Sequence, residues 1–162
     1  MVTKEHRVVG IDCGTAIVGW AVMIKKNNKL ERQGSGTIIT PKNLDMFLRL
    51  KIIYEKLLEI IEKFTPTEMA VEDIFFFKNN KTVISVSQAR GVIMLSGALK
   101  NLEVYSYTPL QVKSAVTGYG RADKNQVKTM VGKILKIAPP KGDDEADALA
   151  ISICHLNSLR GI

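Results

Sequence analysis

An aspartate inside an apolar run, with glycine-rich sequence directly after it, constrains this chain more than any other feature. The run is "VVGIDCGTAIVGWAV", residues 8–22, and the acid is Asp12. Aspartate is depleted in strands and almost never fully buried without a partner. What Asp12 faces therefore decides what the chain does.

The neighbouring patterns predict the frame around that acid. "RVVGIDC" and "VGWAVMI" read as strands, and "KLERQGSGTII" returns as a third, with residues 25–29 as the turn before it. Short connections predict an antiparallel meander. Over residues 43–64, Leu50, Ile53, Leu57, Ile61 and Phe64 share one helical face. "PTEMAVEDIFF" predicts another strand, residues 81–99 a second helix, and "LEVYSYTP" a last strand. Helical segments follow at 109–116, 123–136 and 144–159. Strands alternating with helices imply parallel pairing there, with functional groups at the carboxyl ends of the strands. The expectation is one α/β domain over residues 1–162, a mixed sheet flanked by helices.

Lys plus Arg number 23 against 16 Asp plus Glu, a net charge of +7. Such an excess favours polyanionic partners, because neutralised phosphates release counterions. Cys13 and Cys154 form no disulfide framework, no apolar run reaches 18 residues, and "MVTKEHRVVG" lacks a signal-peptide pattern. These features predict a cytoplasmic protein with no membrane partner.

Within this basic background the acids gather. Glu72 lies near the end of its strand in "MAVEDIFF", much as Asp12 ends the first. On neighbouring strands the two carboxylates would face each other and repel unless cations lay between them. "KGDDEADALAISICH" adds Asp144 and Asp147, three apart on one helix face and in its first turn. Alone, Asp144 reads as a helix N-cap or dipole contact, and Asp12 and Glu72 as strand-end turn carboxylates. Together, an oxygen-only set without His or Cys suits Mg²⁺ or Mn²⁺ and not zinc. Two such ions ~4 Å apart hold the attacking and leaving oxygens of an in-line phosphoryl displacement. On this reading Asp12 faces a metal, and Gly14 lets a phosphate backbone approach closely.

"GIDCGTAIVGWAV", "AVEDIFFFKN", "SQARGV", "YTPLQVKSAVTGYGRADKNQV" and "DDEADALAISICH" together resemble the RuvC family of bacterial Holliday-junction resolvases. The match runs in order over residues 7–155, and the block at 107–127 is its most specific part. The resemblance implies an RNase H-like, mixed five-stranded sheet flanked by helices. It implies a homodimer and metal-dependent nicking of two opposed strands at four-way junction DNA, in recombination and repair. The family's four carboxylates fall on Asp12, Glu72, Asp144 and Asp147, with Mg²⁺, or Mn²⁺, as the cofactor. Two ions per active site are expected. Coupling to the branch-migration proteins RuvA and RuvB is implied in the same way. The family's usual proline after the first aspartate is Cys13 here, and a thiol is no ligand for a hard ion. Asp73 should point to the opposite side of its strand from Glu72 and stays outside the metal set.

Other residues fall on DNA-contacting positions. The family's stacking aromatic lies three residues after the glutamate, at Phe75, beside Phe76 and Phe77; such stacking is worth roughly 1–3 kcal/mol per base. Lys113 and Lys124 match two lysines that the family needs, and "TGYGRADK" is a glycine-broken loop entering a helix, suited to phosphate. Arg121 in that loop is a candidate backbone contact. Ala89, Gly91, Ser96, Gly97 and Ala98 permit close helix approach, inside the domain or across a dimer, and the resemblance places this helix at the dimer interface. His155 reads as structural, or as support behind the acids.

Two other readings compete. An actin-like ATP-binding module opens with a similar acidic glycine turn, but usually needs a duplicated fold of twice this length. A silent DNA-binding protein would keep the fold without the metal, and the four retained carboxylates speak against it.

Overall fold

Five strands and five helices make up the computed structural model, which describes residues 5–74 and 80–159. The strands are β1 (His6–Asp12), β2 (Ile17–Lys26), β3 (Lys29–Ile39), β4 (Glu68–Glu72) and β5 (Glu103–Tyr107). The helices are α1 (Met46–Phe64), α2 (Asn80–Leu99), α3 (Pro109–Thr117), α4 (Lys124–Leu135) and α5 (Asp143–Ser158).

The expected meander is present: β1–β2–β3 is antiparallel, and Asn27 and Asn28 turn between β2 and β3 with φ of 49° and 62°. Two successive left-handed residues are what a two-residue hairpin turn requires, and asparagine tolerates them well. β4 then pairs parallel with β1, and β5 parallel with β4, giving the order β3-β2-β1-β4-β5. This mixed five-stranded sheet has the RNase H-like arrangement.

Strand alternation splits the interior into two layers. Val9 and Ile11 of β1 join Val18, Val22, Met69 and Val71 beneath α1 and α2. Val8, Ala21, Met23 and Ala70 pack on the other face under α5, with α3 and α4 outside it. Gly10 allows α5 to lie this close, because a Cβ there would overlap the Ser152 hydroxyl. That hydroxyl is shared between the carbonyls of Ala21 (3.2 Å) and Ala148 (3.0 Å), fastening helix to sheet.

α2 is two-sided. Ala89, Ile93, Ser96 and Gly97 are buried, and a Cβ on Gly97 would press on Met69. Ile84, Gly91, Leu95, Ala98 and Leu99 face outward, with Leu95 54% exposed. Residues Lys81–Leu99 are long and apolar enough to cross a membrane by composition, yet the inner side of this helix packs on the sheet and on α1.

Candidate active site

Parallel register assembles the first pair of acids. Ile11 lies opposite Val71, so Asp12 and Glu72 end neighbouring strands side by side, on the face that α5 covers. Across the antiparallel edge Asp12 pairs with Gly19, and a Cβ on Gly19 would overlap the Asp144 carbonyl oxygen. The missing side chain lets the first turn of α5 settle over the ends of β1 and β2, carrying Asp144 and Asp147 in. The cap position of α5 belongs to Gly142, which removes the reading of Asp144 as an N-cap. The turn after Asp12 explains Gly14: a Cβ would overlap the Ile17 carbonyl, so the backbone itself demands glycine there.

The four carboxyl groups feel one another. Burial, then Asp147, Glu72 and Asp144, push the Asp12 carboxyl up to about 8. Burial and then Asp147 push Glu72 up to about 7. Asp147 is also raised, by burial first, with Asp143 and Asp144 adding to it. Two cations oppose this. Lys124, the first residue of α4, lowers Asp12 and Asp147, and Lys113 of α3 lowers Glu72 and Asp147. Both lysines singled out in the sequence therefore stand beside the acids.

Four carboxylates from β1, β4 and α5, repelling one another near neutral pH, fit hard divalent cations. Among the described residues no three His, Cys, Asp or Glu side chains stand close enough together to hold a metal ion. Cys13 turns into the α1/α2 layer, its thiol pushed up to about 12 by burial and then by Asp12. It lies on the opposite face of the sheet from Asp12 and Glu72. Both cysteines are free.

Asp73 points away from Glu72, as strand alternation requires, and pairs with Arg90 of α2 at 2.9 Å. In the sequence Arg90 is one residue of "SQARGV" with no role of its own. It also donates to the Glu72 carbonyl (3.2 Å) and the Ser106 hydroxyl (2.8 Å), so it fixes the backbone that presents Glu72. No local pattern marks such a residue, because its partners lie 16 to 18 positions away. Arg121 is exposed in the loop between α3 and α4. Phe75, Phe76 and Phe77 lie outside the described residues.

A second polar cluster had no sequence signal beyond His155. Glu68, at the start of β4 and 4% exposed, accepts from His155 Nε2 at 2.9 Å and is bonded to His6 Nδ1 at 2.7 Å. His155 Nδ1 meets the Tyr107 hydroxyl at 2.8 Å. Burial alone would raise Glu68, but the two imidazoles outweigh it and leave the carboxyl below its usual range. His155 is thus structural: it ties α5 to β4 on the elements that carry Asp147 and Glu72.

Comparison with known proteins places this geometry. The family described as crossover junction endodeoxyribonuclease RuvC matches residues 8–155. A relative of that description from Fusobacterium nucleatum is 53% identical over 94% of this chain and 81% of its own length. Another, from Halothermothrix orenii, is 54% identical over 94% of this chain and 93% of its own. The Thermus thermophilus RuvC structure in complex with Holliday junction substrate superposes with a TM-score of 0.87 at 33% identity, covering 93% of each chain. A yeast mitochondrial resolvase, 13% identical with a TM-score of 0.66 over 92% of this chain and 77% of its own, shares the fold. On sequence and architecture alike, the chain belongs to the RuvC family of crossover junction endodeoxyribonucleases.

Proposed function

We propose that this chain resolves four-way DNA junctions by two symmetric, metal-dependent nicks. The observation that carries this reading is the convergence of Asp12, Glu72, Asp144 and Asp147 from three elements, with Lys113 and Lys124 beside them, in a protein of net charge +7. The Thermus relative solved with a Holliday junction supports the substrate.

The four carboxylates hold divalent cations, Mg²⁺ or Mn²⁺ and two per site. When bound, these supply Lewis acidity to the attacking water and the leaving oxygen. Without cations the acids repel the phosphodiester. Lys113 and Lys124 hold the scissile phosphate and offset charge that develops on it. Phe75 stacks against bases opened near the crossover, and Arg121 contacts the backbone.

Two symmetric nicks require two sites related by a two-fold axis, which a homodimer supplies. The outward stripe of α2 supports one: Ile84, Leu95 and Leu99 are 61%, 54% and 59% exposed, and Gly91 leaves open space for a close neighbour. RuvA and RuvB are the proposed partners in branch migration. The whole chain acts as one nuclease domain in the bacterial cytoplasm, where its DNA lies.

The test is cleavage of a synthetic four-way junction with Mg²⁺, compared with linear duplex of the same sequence. Paired nicks at the junction and none in the duplex are expected. Equal cutting of both, or none with any divalent ion, overturns the reading.

A further inference from the structure

The strand ends that present Asp12 and Glu72 are each tied to an arginine from the helix layer on the opposite face of the sheet. We propose that Arg90 of α2 and Arg49 of α1 are positioning residues for the metal site. They act through the backbone and set the spacing of the two carboxylates before any cation binds. The proposal rests on the reading of the four acids as a divalent-cation site and extends it to what holds that site ready.

Arg90 acts at the end of β4, and one guanidinium makes three bonds there. Its Nε donates to the Glu72 carbonyl at 3.2 Å, and one Nη donates to the Asp73 carboxylate at 2.9 Å and the Ser106 hydroxyl at 2.8 Å. Glu72 and Asp73 are consecutive, whereas Ser106 belongs to β5, so the fork spans two strands. The Asp73 N–H donates to the Tyr107 carbonyl at 2.8 Å and closes the same corner. Side chains alternate along the chain, so fixing Asp73 on the α2 side directs Glu72 to the side of the acids. Arg90 also stands near Cys13, where its charge opposes the rise that burial and then Asp12 impose on the thiol.

Arg49 acts on the turn after Asp12. Its Nε donates to the Thr40 hydroxyl at 2.9 Å, and that hydroxyl donates in turn to the Thr15 carbonyl. The Thr40 N–H donates to the Ala16 carbonyl at 3.0 Å. Thr40 is buried, so this chain of bonds works away from competing water, where linked bonds strengthen one another. Thr15 and Ala16 lie between Asp12 and the start of β2, and the same turn packs Gly14 on the Ile17 carbonyl.

The acids need such a device. Asp12, Glu72 and Asp147 are crowded enough to raise one another, and like charges drive their carriers apart. A backbone fixed at both strand ends resists that spreading. Arginine suits the task, because its planar fork satisfies several acceptors at once and stays charged at any pH at which the enzyme works.

The experiment is a Mn²⁺ titration of DNA-free protein, read by the EPR signal of the free ion. Wild type, R90M, R90K, R49M and T40V are compared well below the lowest of their melting temperatures. R90M and R49M should each lower Mn²⁺ affinity by roughly 10- to 100-fold, the usual effect of removing a group that orients metal ligands. The Mg²⁺ concentration that half-saturates junction cleavage should rise by a similar factor. R90K keeps the charge but not the fork and should behave as R90M. T40V should match R49M, and the double variant should be no worse than either, since the two residues form one chain. Wild-type Mn²⁺ affinity in R90M or in R49M overturns the assignment of that arginine, even where the melting temperature falls. Wild-type affinity in R90K also overturns it for Arg90, because charge alone then suffices. A wild type that binds no Mn²⁺ overturns the reading of the acids instead, so the two failures are distinct.

Discussion

The Asp144 carbonyl rests on the Cα of Gly19, where a Cβ would overlap it. Because Gly19 is the cross-strand partner of Asp12, this contact sets the depth at which α5 delivers its acids. Gly19→Ala should push the first turn of α5 off the sheet. Forcing an atom into a packed contact costs about 1–3 kcal/mol, so the melting temperature should fall by several degrees. Cleavage should fall further, by more than about 10-fold, because a displacement near 1 Å can cost two orders of magnitude at a reacting centre. Wild-type cleavage by a stable Gly19→Ala protein would show that α5 is positioned by other contacts.

The acids make a pH prediction with a definite sign. Asp12 titrates near 8 in the folded, metal-free chain against a usual 3.8. A carboxyl whose folded value is raised holds a proton that the unfolded chain has lost. Metal-free stability should therefore decline as pH rises from about 4 towards 8. Glu72, raised to about 7, adds to the decline over the lower part of that window. Melting in EDTA between about pH 5 and pH 8 should show it, Asp12→Asn should flatten it, and Mg²⁺ should reverse it by displacing the proton. Asp12→Asn and Glu72→Gln should each abolish cutting while leaving junction binding intact or stronger. Near-normal nicking by either variant removes that residue from the ligand set.

The exposed stripe on α2 predicts a concentration-dependent assembly. Leu95→Glu places a charge in the middle of that stripe and should yield a monomer by size-exclusion chromatography at micromolar protein. Its cleavage of four-way junctions should lose the pairing of the two nicks, and the folded core should remain, since Leu95 is solvent-facing in the protomer. A dimer that persists in Leu95→Glu locates the interface elsewhere.

Glu68 and His155 stabilise the frame without touching the chemistry. His155→Leu leaves a buried carboxylate with His6 as its remaining side-chain partner. Breaking a buried pair in this way costs about 3–5 kcal/mol, or roughly 10 °C of melting temperature in a chain of this size. Because Glu68 is lowered in the folded state, its share of stability is present above its usual value and is lost as pH falls through the depressed one. Thermal melting of His155→Leu and Glu68→Gln against wild type checks both statements. A wild-type melting temperature in His155→Leu would mean that the cluster contributes nothing net.

Much of this was legible because the relevant signals are local. β3 spans residues 29–39 as its alternation predicts; α2 and α3 differ from their expected limits by one residue at one end, and α4 and α5 by one residue at each end. α1 starts at Met46, three residues inside its predicted start at 43, with Asp45 before it in an extended backbone conformation and without a side-chain capping bond. Of the strand expected over 66–76, residues Glu68–Glu72 form β4, where pairing with β1 and β5 holds them, and residues 75 and 76 lie outside the described residues. What the residues alone could not supply were contacts between distant positions. Arg90 on the Glu72 carbonyl and Glu68 between two histidines are of this kind, as is α5 seated on Gly19. In the sequence Gly19 reads as one more small residue in a strand, and only the helix lying on it explains why nothing larger fits.

Lys113 and Lys124 separate steering from catalysis. Lys124 is held by Asp143 at 3.4 Å, and the same carboxylate pairs with Lys128 at 2.5 Å, so it stands ready at the edge of the acids. A lysine that only attracts DNA weakens binding, reduces the salt slope by about one unit, and is compensated by excess enzyme. A lysine at the scissile phosphate acts on the transition state, so its loss lowers the single-turnover rate even on saturated junction. The second behaviour is expected for Lys113→Ala and Lys124→Ala, with rate losses of about 100-fold, comparable to removal of one preorganised donor from an oxyanion site. Lys26→Ala, at the far end of β2, is the control and should change neither quantity. The measurement is the cleavage rate at saturating enzyme with Mg²⁺ across a salt series. Should saturation restore both variants to the wild-type rate, the two lysines belong to the general basic surface and their assignment to the scissile phosphate fails.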